Sequence, residues 1–218
     1  MIVKTDAQLQ QDVIRELNWE PSVNAAKVGV FVSDSVVSLA GYVDSFAEKW
    51  AAERATQRVP GVKAIAVRIE VILPVSDMRD DSDIARTAKN VLEWIAYLPR
   101  DCVNVQVEGG LVTLRGELPW QYQRQAAMDA VHHLMGVTGI SNQIVITPHG
   151  SLMAHKTDIE TALNRLTRDS HRIHVEVRDG EVTLTGTVRT WAERDSVARS
   201  AWASPGVTNV VDHMTYGY

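Results

Sequence analysis

The chain has 218 residues, 45% of them hydrophobic and 22% charged, a composition typical of one or two folded domains and not of a disordered protein. The formal net charge of -5, from 22 basic and 27 acidic residues, argues against nucleic acid as the main partner. A single cysteine, Cys102, excludes an intrachain disulfide framework and a four-thiolate metal site.

The first residues contain no apolar stretch of the kind that a secretory signal needs. Polar residues occupy the positions where that stretch would lie: Asp6, Gln8, Gln10, Gln11 and Asp12. We therefore expect a cytoplasmic protein, with a periplasmic location as the alternative if a leader was removed. No apolar run approaches the roughly 20 residues that cross a bilayer, so no transmembrane segment is predicted.

Three glycines, Gly41, Gly116 and Gly186, anchor an internal repeat. Each is preceded two residues earlier by leucine and four, nine and eleven residues earlier by valine. A second glycine follows twenty residues after each anchor, and these are Gly61, Gly136 and Gly206. We therefore divide the chain into three units, residues 1–74, 80–148 and 153–218.

Each unit begins with a pattern typical of an amphipathic helix. Apolar residues recur at helical spacing on one face, and a hydroxyl residue able to cap the helix precedes each stripe. The stripes are Leu9, Val13 and Leu17, then Ile84, Ala88, Val91, Leu92 and Ile95, then Ile159, Leu163 and Leu166; the predicted N-caps are Thr5, Ser82 and Thr157.

A hairpin, a second helix and a last strand follow in each unit. Apolar and polar residues alternate on both sides of Asp34-Ser35, Gly109-Gly110 and Asp179-Gly180. Gly-Gly and Asp-Gly favour turns with positive φ at both central residues, so the turn signal is weakest in the first unit. The second helices are predicted over residues 46–59, 120–134 and 191–203, and the second glycine ends each.

This order of elements predicts an α+β fold of three tandem αββαβ domains. Each has two helices packed on one face of a three-stranded mixed sheet. A right-handed crossover through the second helix places the last strand parallel to a hairpin strand. The linkers at residues 74–78 and 148–151 contain the proline and glycine that are typical of domain boundaries.

An acidic run, Asp77, Asp80, Asp81 and Asp83, lies at the entrance to the middle unit. We expect these carboxylates to complement the positive N-terminal end of the following helix. A cation site is the alternative.

The strands around the anchor glycines resemble those of the BON domain. The resemblance rests on VVSLAGYV at residues 36–43, VTLTGTV at 182–188 and PGVTNV at 205–210, and in the middle unit on VTLRG at 112–116 followed by WQYQR at 120–124. It covers all three units. It implies bacterial, transport-associated modules without enzymatic activity, often exported and linked with osmotic or envelope stress. Such modules are thought to bind phospholipid surfaces, and some cytoplasmic relatives are linked with potassium sensing.

The sequence contains no catalytic constellation. It lacks a dinucleotide-binding or phosphate-binding glycine loop, and no motif gives Cys102 a base or an orienting group. His132 and His133 point about 100° apart on a helix, which is poor geometry for one metal ion, so we expect both on the surface. We therefore expect no enzyme, no cofactor and no metal site, and treat the six glycines of the repeat as backbone devices.

Aromatic residues of the middle unit are the candidates for a binding surface. Trp94 lies at the margin of the helix stripe and Tyr97 projects away from it, so that with Trp120 and Tyr122 they form a candidate exposed patch. Basic neighbours favour binding to anionic lipid headgroups, and the candidates are Arg86, Lys89, Arg100 and Arg124. The alternative is that Trp120, like Trp191, only covers the packing face of the second helix.

Three functions remain open from the sequence. The first is a binding module for membrane phospholipid. The second is a scaffold that self-associates or binds protein partners, and the third is a potassium-responsive stress protein. The sequence leaves the ligand and the oligomeric state undetermined.

Overall fold

The structure is a computed structural model that describes residues 4–147, 156–166 and 172–217. The first repeat contains α1 (Asp6–Trp19), β1 (Val28–Ser33), β2 (Val36–Val43), α2 (Phe46–Arg58) and β3 (Ala64–Val71). The middle repeat contains α3 (Asp81–Glu93), β4 (Val103–Glu108), β5 (Leu111–Leu118), α4 (Gln121–Val131) and β6 (Gly139–Ile146). The third contains α5 (Lys156–Leu166), β7 (Ile173–Arg178), β8 (Glu181–Val188), α6 (Trp191–Trp202) and β9 (Asn209–Tyr216).

Three three-stranded sheets have the same strand order, with the second hairpin strand in the centre: β1-β2-β3, β4-β5-β6 and β7-β8-β9. In the first and third sheets the hairpin pair is antiparallel, and the last strand runs parallel to the central strand. The α+β class and the crossover through the second helix are therefore confirmed.

One face of each sheet is covered by helices because apolar residues alternate along the strands. In the first repeat the predicted stripe on α1 is buried against alternate residues of β2, namely Val37, Leu39 and Val43. In the middle repeat Ile84, Ala88 and Leu92 are buried, and in the third Ile159 is. The side chains of Leu163 and Leu166 and the linker at 148–151 lie outside the described residues. So do residue 148, which ends the second predicted unit, and residue 153, which begins the third.

Carboxylates at the helix starts hold the hairpin turns. The backbone N–H groups of Asp34 and Ser35 donate to the two oxygens of Asp6 at 2.9 and 3.0 Å. Those of Gly109 and Gly110 donate to Asp81 at 2.8 and 2.9 Å. Such charge-assisted bonds contribute roughly 1.5–3 kcal/mol each when formed. They explain why the first repeat keeps a turn with φ of 52° and 65° at two non-glycine residues.

The helix starts correct two of the three predicted caps. Thr5 caps α1 as predicted, in a capping box with Gln8. The N-cap of α3 is Asp80, so Ser82 lies inside the helix, and α5 begins at Lys156, so Thr157 lies inside it as well. Within the acidic run, Asp81 therefore has a specific task, which is to bind the turn amides.

Two compact units make up the chain. The first comprises Met1–Ile95, Asn104–Leu114 and Met128–Asn142, and the second comprises Ala96–Val103, Arg115–Ala127 and Gln143–Tyr218. Within the described ranges, no helix has the length and apolarity needed to cross a membrane.

Candidate aromatic surface of the middle repeat

Three of the predicted aromatic residues form one cluster in the second compact unit. The ring centres of Tyr97 and Tyr122 are 5.6 Å apart, and those of Trp120 and Tyr122 are 6.4 Å apart. Tyr97 is 53% exposed and Tyr122 is 56% exposed. The cluster thus presents two amphipathic rings to the solvent, with Trp120 half-buried beside them.

A buried glutamine fixes one side of this cluster. Gln123 is 5% exposed, and its Nε2 donates to the carbonyl oxygen of Tyr97 at 2.7 Å. Counting from the anchor glycines, the equivalent residues of the other repeats are Glu48 and Glu193. The middle repeat alone therefore has a side chain at this position that can donate to a carbonyl.

The same comparison explains the position of Trp120. It stands where Ser45 and Thr190 cap α2 and α6, each accepting a hydrogen bond from the third residue of its helix. The middle repeat has exchanged a capping hydroxyl for an indole. Aligning the three repeats on their anchor glycines reveals both differences, Gln123 in place of glutamate and Trp120 in place of a capping hydroxyl residue.

Trp94 is the most exposed of the large apolar residues in the described part of the chain. It is the C-cap of α3, in the first compact unit, and is 88% exposed. Full exposure of an indole leaves a large apolar surface in water. Trp94 precedes Tyr97 by three residues in the sequence.

The predicted basic residues differ in their availability. Lys89 lies 3.7 Å from Glu93, and Arg86 lies 3.0 Å from Asp83, with both basic side chains about two-thirds exposed. Arg100 is exposed. The positive charges on α3 are therefore balanced by neighbouring carboxylates but remain open to solvent.

Arg124 does not contribute an open charge to the aromatic cluster. Its guanidinium carbon lies 4.9 Å from the ring centre of Trp202 at the end of α6, a cation–π contact. Burial lowers the pKa of this guanidinium. Its role in the structure is to contact the third repeat, which sequence reasoning did not foresee.

Trp19 is the equivalent of Trp94 in the first repeat, and it was not among the predicted surface residues. It is 83% exposed at the end of α1. Its surroundings differ, because Glu16 and Glu20 both bind Arg58, at 2.9 and 2.8 Å. The hydrogen bond from Arg58 lowers the pKa of Glu20, which keeps this carboxylate charged.

The expected surface position of His132 is wrong. His132 is 5% exposed, because its ring lies 4.3 Å from that of Trp50 on α2 and 3.8 Å from that of His133. Among the residues that the structure describes, no three His, Cys, Asp or Glu side chains are grouped closely enough to hold a metal ion.

Comparison with known proteins identifies relatives of all three repeats. The family model for the BON domain matches residues 5–72, 80–148 and 155–218. The osmotically-inducible protein Y of Escherichia coli strain K12 is 29% identical over 149 residues, which cover 64% of this chain and 74% of that protein.

Two solved structures of CdsD, a structural protein of the type III secretion system of Chlamydia trachomatis, also match, each at 16% identity. One match covers 94% of this chain and 90% of that chain, with a TM-score of 0.26. The other, to the C-terminal domain, covers 99% and 100%, with a TM-score of 0.27. Similarity at this level carries no argument about function.

Proposed function

The chain belongs to the BON-domain family, and from this membership we propose that it is a non-enzymatic protein whose middle repeat binds phospholipid surfaces during osmotic stress. The observation that carries the proposal is the exposure of Trp94, at 88%. The name of the similar osmotically-inducible protein supports the stress context.

The aromatic residues suit a membrane–water interface. Trp and Tyr favour this zone because the ring is apolar while the N–H or O–H remains hydrated. Trp94 ends a helix whose other face is buried, so it is free to enter a headgroup layer without disturbing the core. Tyr97 and Tyr122, in the second compact unit, supply two further rings of the same chemistry.

The charges on α3 are expected to assist binding only weakly. A lipid phosphate competes with Glu93 for Lys89 and with Asp83 for Arg86, so part of the attraction replaces an existing ion pair. Insertion of the rings therefore supplies most of the free energy, and added salt has only a modest effect on binding.

Replacing Trp94 with alanine is expected to weaken binding to vesicles about 10-fold, since an indole that leaves water contributes on the order of 1–2 kcal/mol at an interface. The measurement is co-sedimentation of the full chain with vesicles of phosphatidylcholine and phosphatidylglycerol in equal parts. The matched control is Trp19→Ala, which removes an equally exposed indole at the equivalent helix end.

Binding by W19A should equal that of the wild type, because the carboxylates of Glu16 and Glu20 outnumber the one guanidinium of Arg58 and leave a net negative charge that repels anionic lipid beside that indole. Wild-type binding that W94A leaves unchanged would contradict the role of the middle repeat. An equal loss in both variants would show that any exposed indole suffices.

Self-association is a second candidate function, and one observation favours it. On the open face of the first sheet, Phe31 is 63% exposed and lies in register with Ser38, which pairs with Ala66. Val36 and Tyr42 are exposed on the same face. An aromatic ring beside small residues is a surface that a second copy of this face can cover.

Light scattering after size-exclusion chromatography tests this candidate over a wide concentration range. We expect the dimer to be weak, because a face of three short strands buries far less than the roughly 1,200 Å² of a stable interface. Phe31→Ser should abolish it by removing the exposed ring. Thr113→Ser is the control, as Thr113 occupies the equivalent of Ser38 on the middle sheet. A monomer at every concentration excludes the scaffold formed by self-association.

A further inference from the structure

The contact between Trp50 and His132 joins two repeats inside the first compact unit. Trp50 belongs to α2 of the first repeat, whereas His132 directly follows α4 of the middle repeat. Trp50 is only half-buried and is not part of the first core. Its ring therefore serves the contact with the middle repeat more than the interior of its own.

His132 is buried without a partner for one of its ring nitrogens. Its Nε2 is inaccessible and has no hydrogen-bond partner, although the side chain is 5% exposed. A neutral imidazole tolerates this as an unpaired nitrogen lone pair or N–H group. An imidazolium has two N–H donors and a charge, and a buried charge without an acceptor is much more costly.

We propose that the contact between Trp50 and His132 is a pH-sensitive one, held while His132 is neutral and loosened when His132 takes up a proton. Protonation of His132 in mild acid would separate the α2 surface of the first repeat from the end of α4. It is independent of phospholipid binding, since neither residue belongs to the exposed aromatic surface.

The charged neighbours determine the direction of the effect. Burial and the adjacent His133 lower the pKa of His132, while a hydrogen bond to the backbone of Met128 and the nearby Asp129 on α4 act against them. The Trp50 ring would attract an imidazolium, but it already carries the guanidinium of Arg54, 4.8 Å from its centre. A protonated His132 would therefore gain less cation–π stabilisation from the Trp50 ring than it would from a ring without a cation.

Glu53, one turn from Trp50 on α2, acts in the opposite direction. Burial raises its pKa, against the attraction of Lys49, so acid removes a charge that is costly to bury. The pKa of His132 is lower in the contact than when His132 is released. The contact is therefore at full strength above about pH 6.5, the ordinary pKa of histidine, and weakens as the pH falls below it.

The experiment is an NMR titration of the full chain, following the imidazole of His132 and the indole N–H of Trp50, each assigned by its own variant. We expect the chemical shift of the Trp50 indole N–H to change with pH, with the same titration midpoint as the His132 imidazole. Trp50→Ala should raise that midpoint, because it re-exposes the imidazole. His132→Phe keeps a ring in place but cannot titrate, so it should remove the shift of Trp50 in this range.

Any pH dependence that survives in H132F belongs to groups other than His132, and a contribution from Glu53 would strengthen the contact in acid. Circular dichroism of each variant checks that the fold is intact, and His132→Gln replaces the phenylalanine variant if that one fails to fold. The proposal is overturned if W50A leaves the midpoint of His132 unchanged, or if the Trp50 resonance moves equally in the wild type and the non-titrating variant.

Discussion

Replacing Gly116 with alanine is expected to unfold the middle repeat while the other two remain folded. A β-carbon at this position would lie 1.9 Å from the carbonyl oxygen of Cys102 and 3.0 Å from its carbonyl carbon. The obstacle is main chain, which a rotamer change cannot remove. The φ of 149° adds strain for any residue with a side chain.

The expected cost is roughly 4 kcal/mol or more, since backbone strain and broken ladder hydrogen bonds add together. A repeat of this size has only about 3–10 kcal/mol of stability to lose. Hydrogen exchange of the amides in β4 and β5 measures the effect without assuming that the three repeats unfold together.

Gly109→Ala is the matched control, because it also adds a methyl group at a glycine with positive φ in the same repeat. At Gly109 no atom lies within 4 Å of the added carbon, and Asp34 and Asp179 occupy the equivalent turn positions with φ of 52° and 49°. Its cost should be about 1 kcal/mol. Equal exchange rates in G109A and G116A would show that the close approach to Cys102 is not what requires glycine.

The repeat made most of this fold predictable because its signals are local. Alternation along the hairpin strands, turn residues that accept positive φ and a glycine at each helix end are all properties of short segments. The first-repeat turn at Asp34-Ser35 was the weakest signal because neither residue is glycine, and the carboxylate that stabilises its positive φ angles belongs to Asp6, almost thirty residues earlier.

The sequence predicted which residues form the candidate surface but not the contacts that neighbouring repeats make with them. Helical spacing placed Trp94 at the margin of its stripe, and the structure leaves it exposed. The positions of Arg124 and His132 were not foreseen, because each contacts an aromatic ring from another repeat. Periodicity reports which face of a helix meets its own sheet and contains no information about a neighbouring repeat.

Gln123→Glu should destabilise the middle repeat by about 2–3 kcal/mol at neutral pH, although glutamate is the residue that the other two repeats have. Glu48 accepts the N–H groups of Asn24 and Asp44 at 2.8 and 3.0 Å, so a carboxylate suits that site. Gln123 instead donates to the carbonyl of Tyr97. A carboxylate at this buried position would face the carbonyl oxygen of Tyr97, and neither group can donate a hydrogen bond to the other.

The loss should depend on pH, because only the protonated carboxyl can donate to the Tyr97 carbonyl. Folding therefore raises the pKa of the introduced group. The wild type and variant should be nearly equal in stability at about pH 4, and the difference should grow as the pH rises through the ordinary glutamate range and up to the raised pKa. The difference in free energy of unfolding is measured by urea unfolding, with hydrogen exchange of the β5 amides as the readout for the middle repeat.

Gln123→Leu separates the lost hydrogen bond from the introduced charge. It removes the donor without adding a carboxylate, so its cost should be the same at both pH values and smaller than that of Q123E near neutrality. Both variants release Tyr97 from its anchor and should weaken vesicle binding if the Tyr97–Tyr122 pair takes part. Stability losses in Q123E that match those of Q123L at every pH would mean that the Tyr97 carbonyl does not face this side chain.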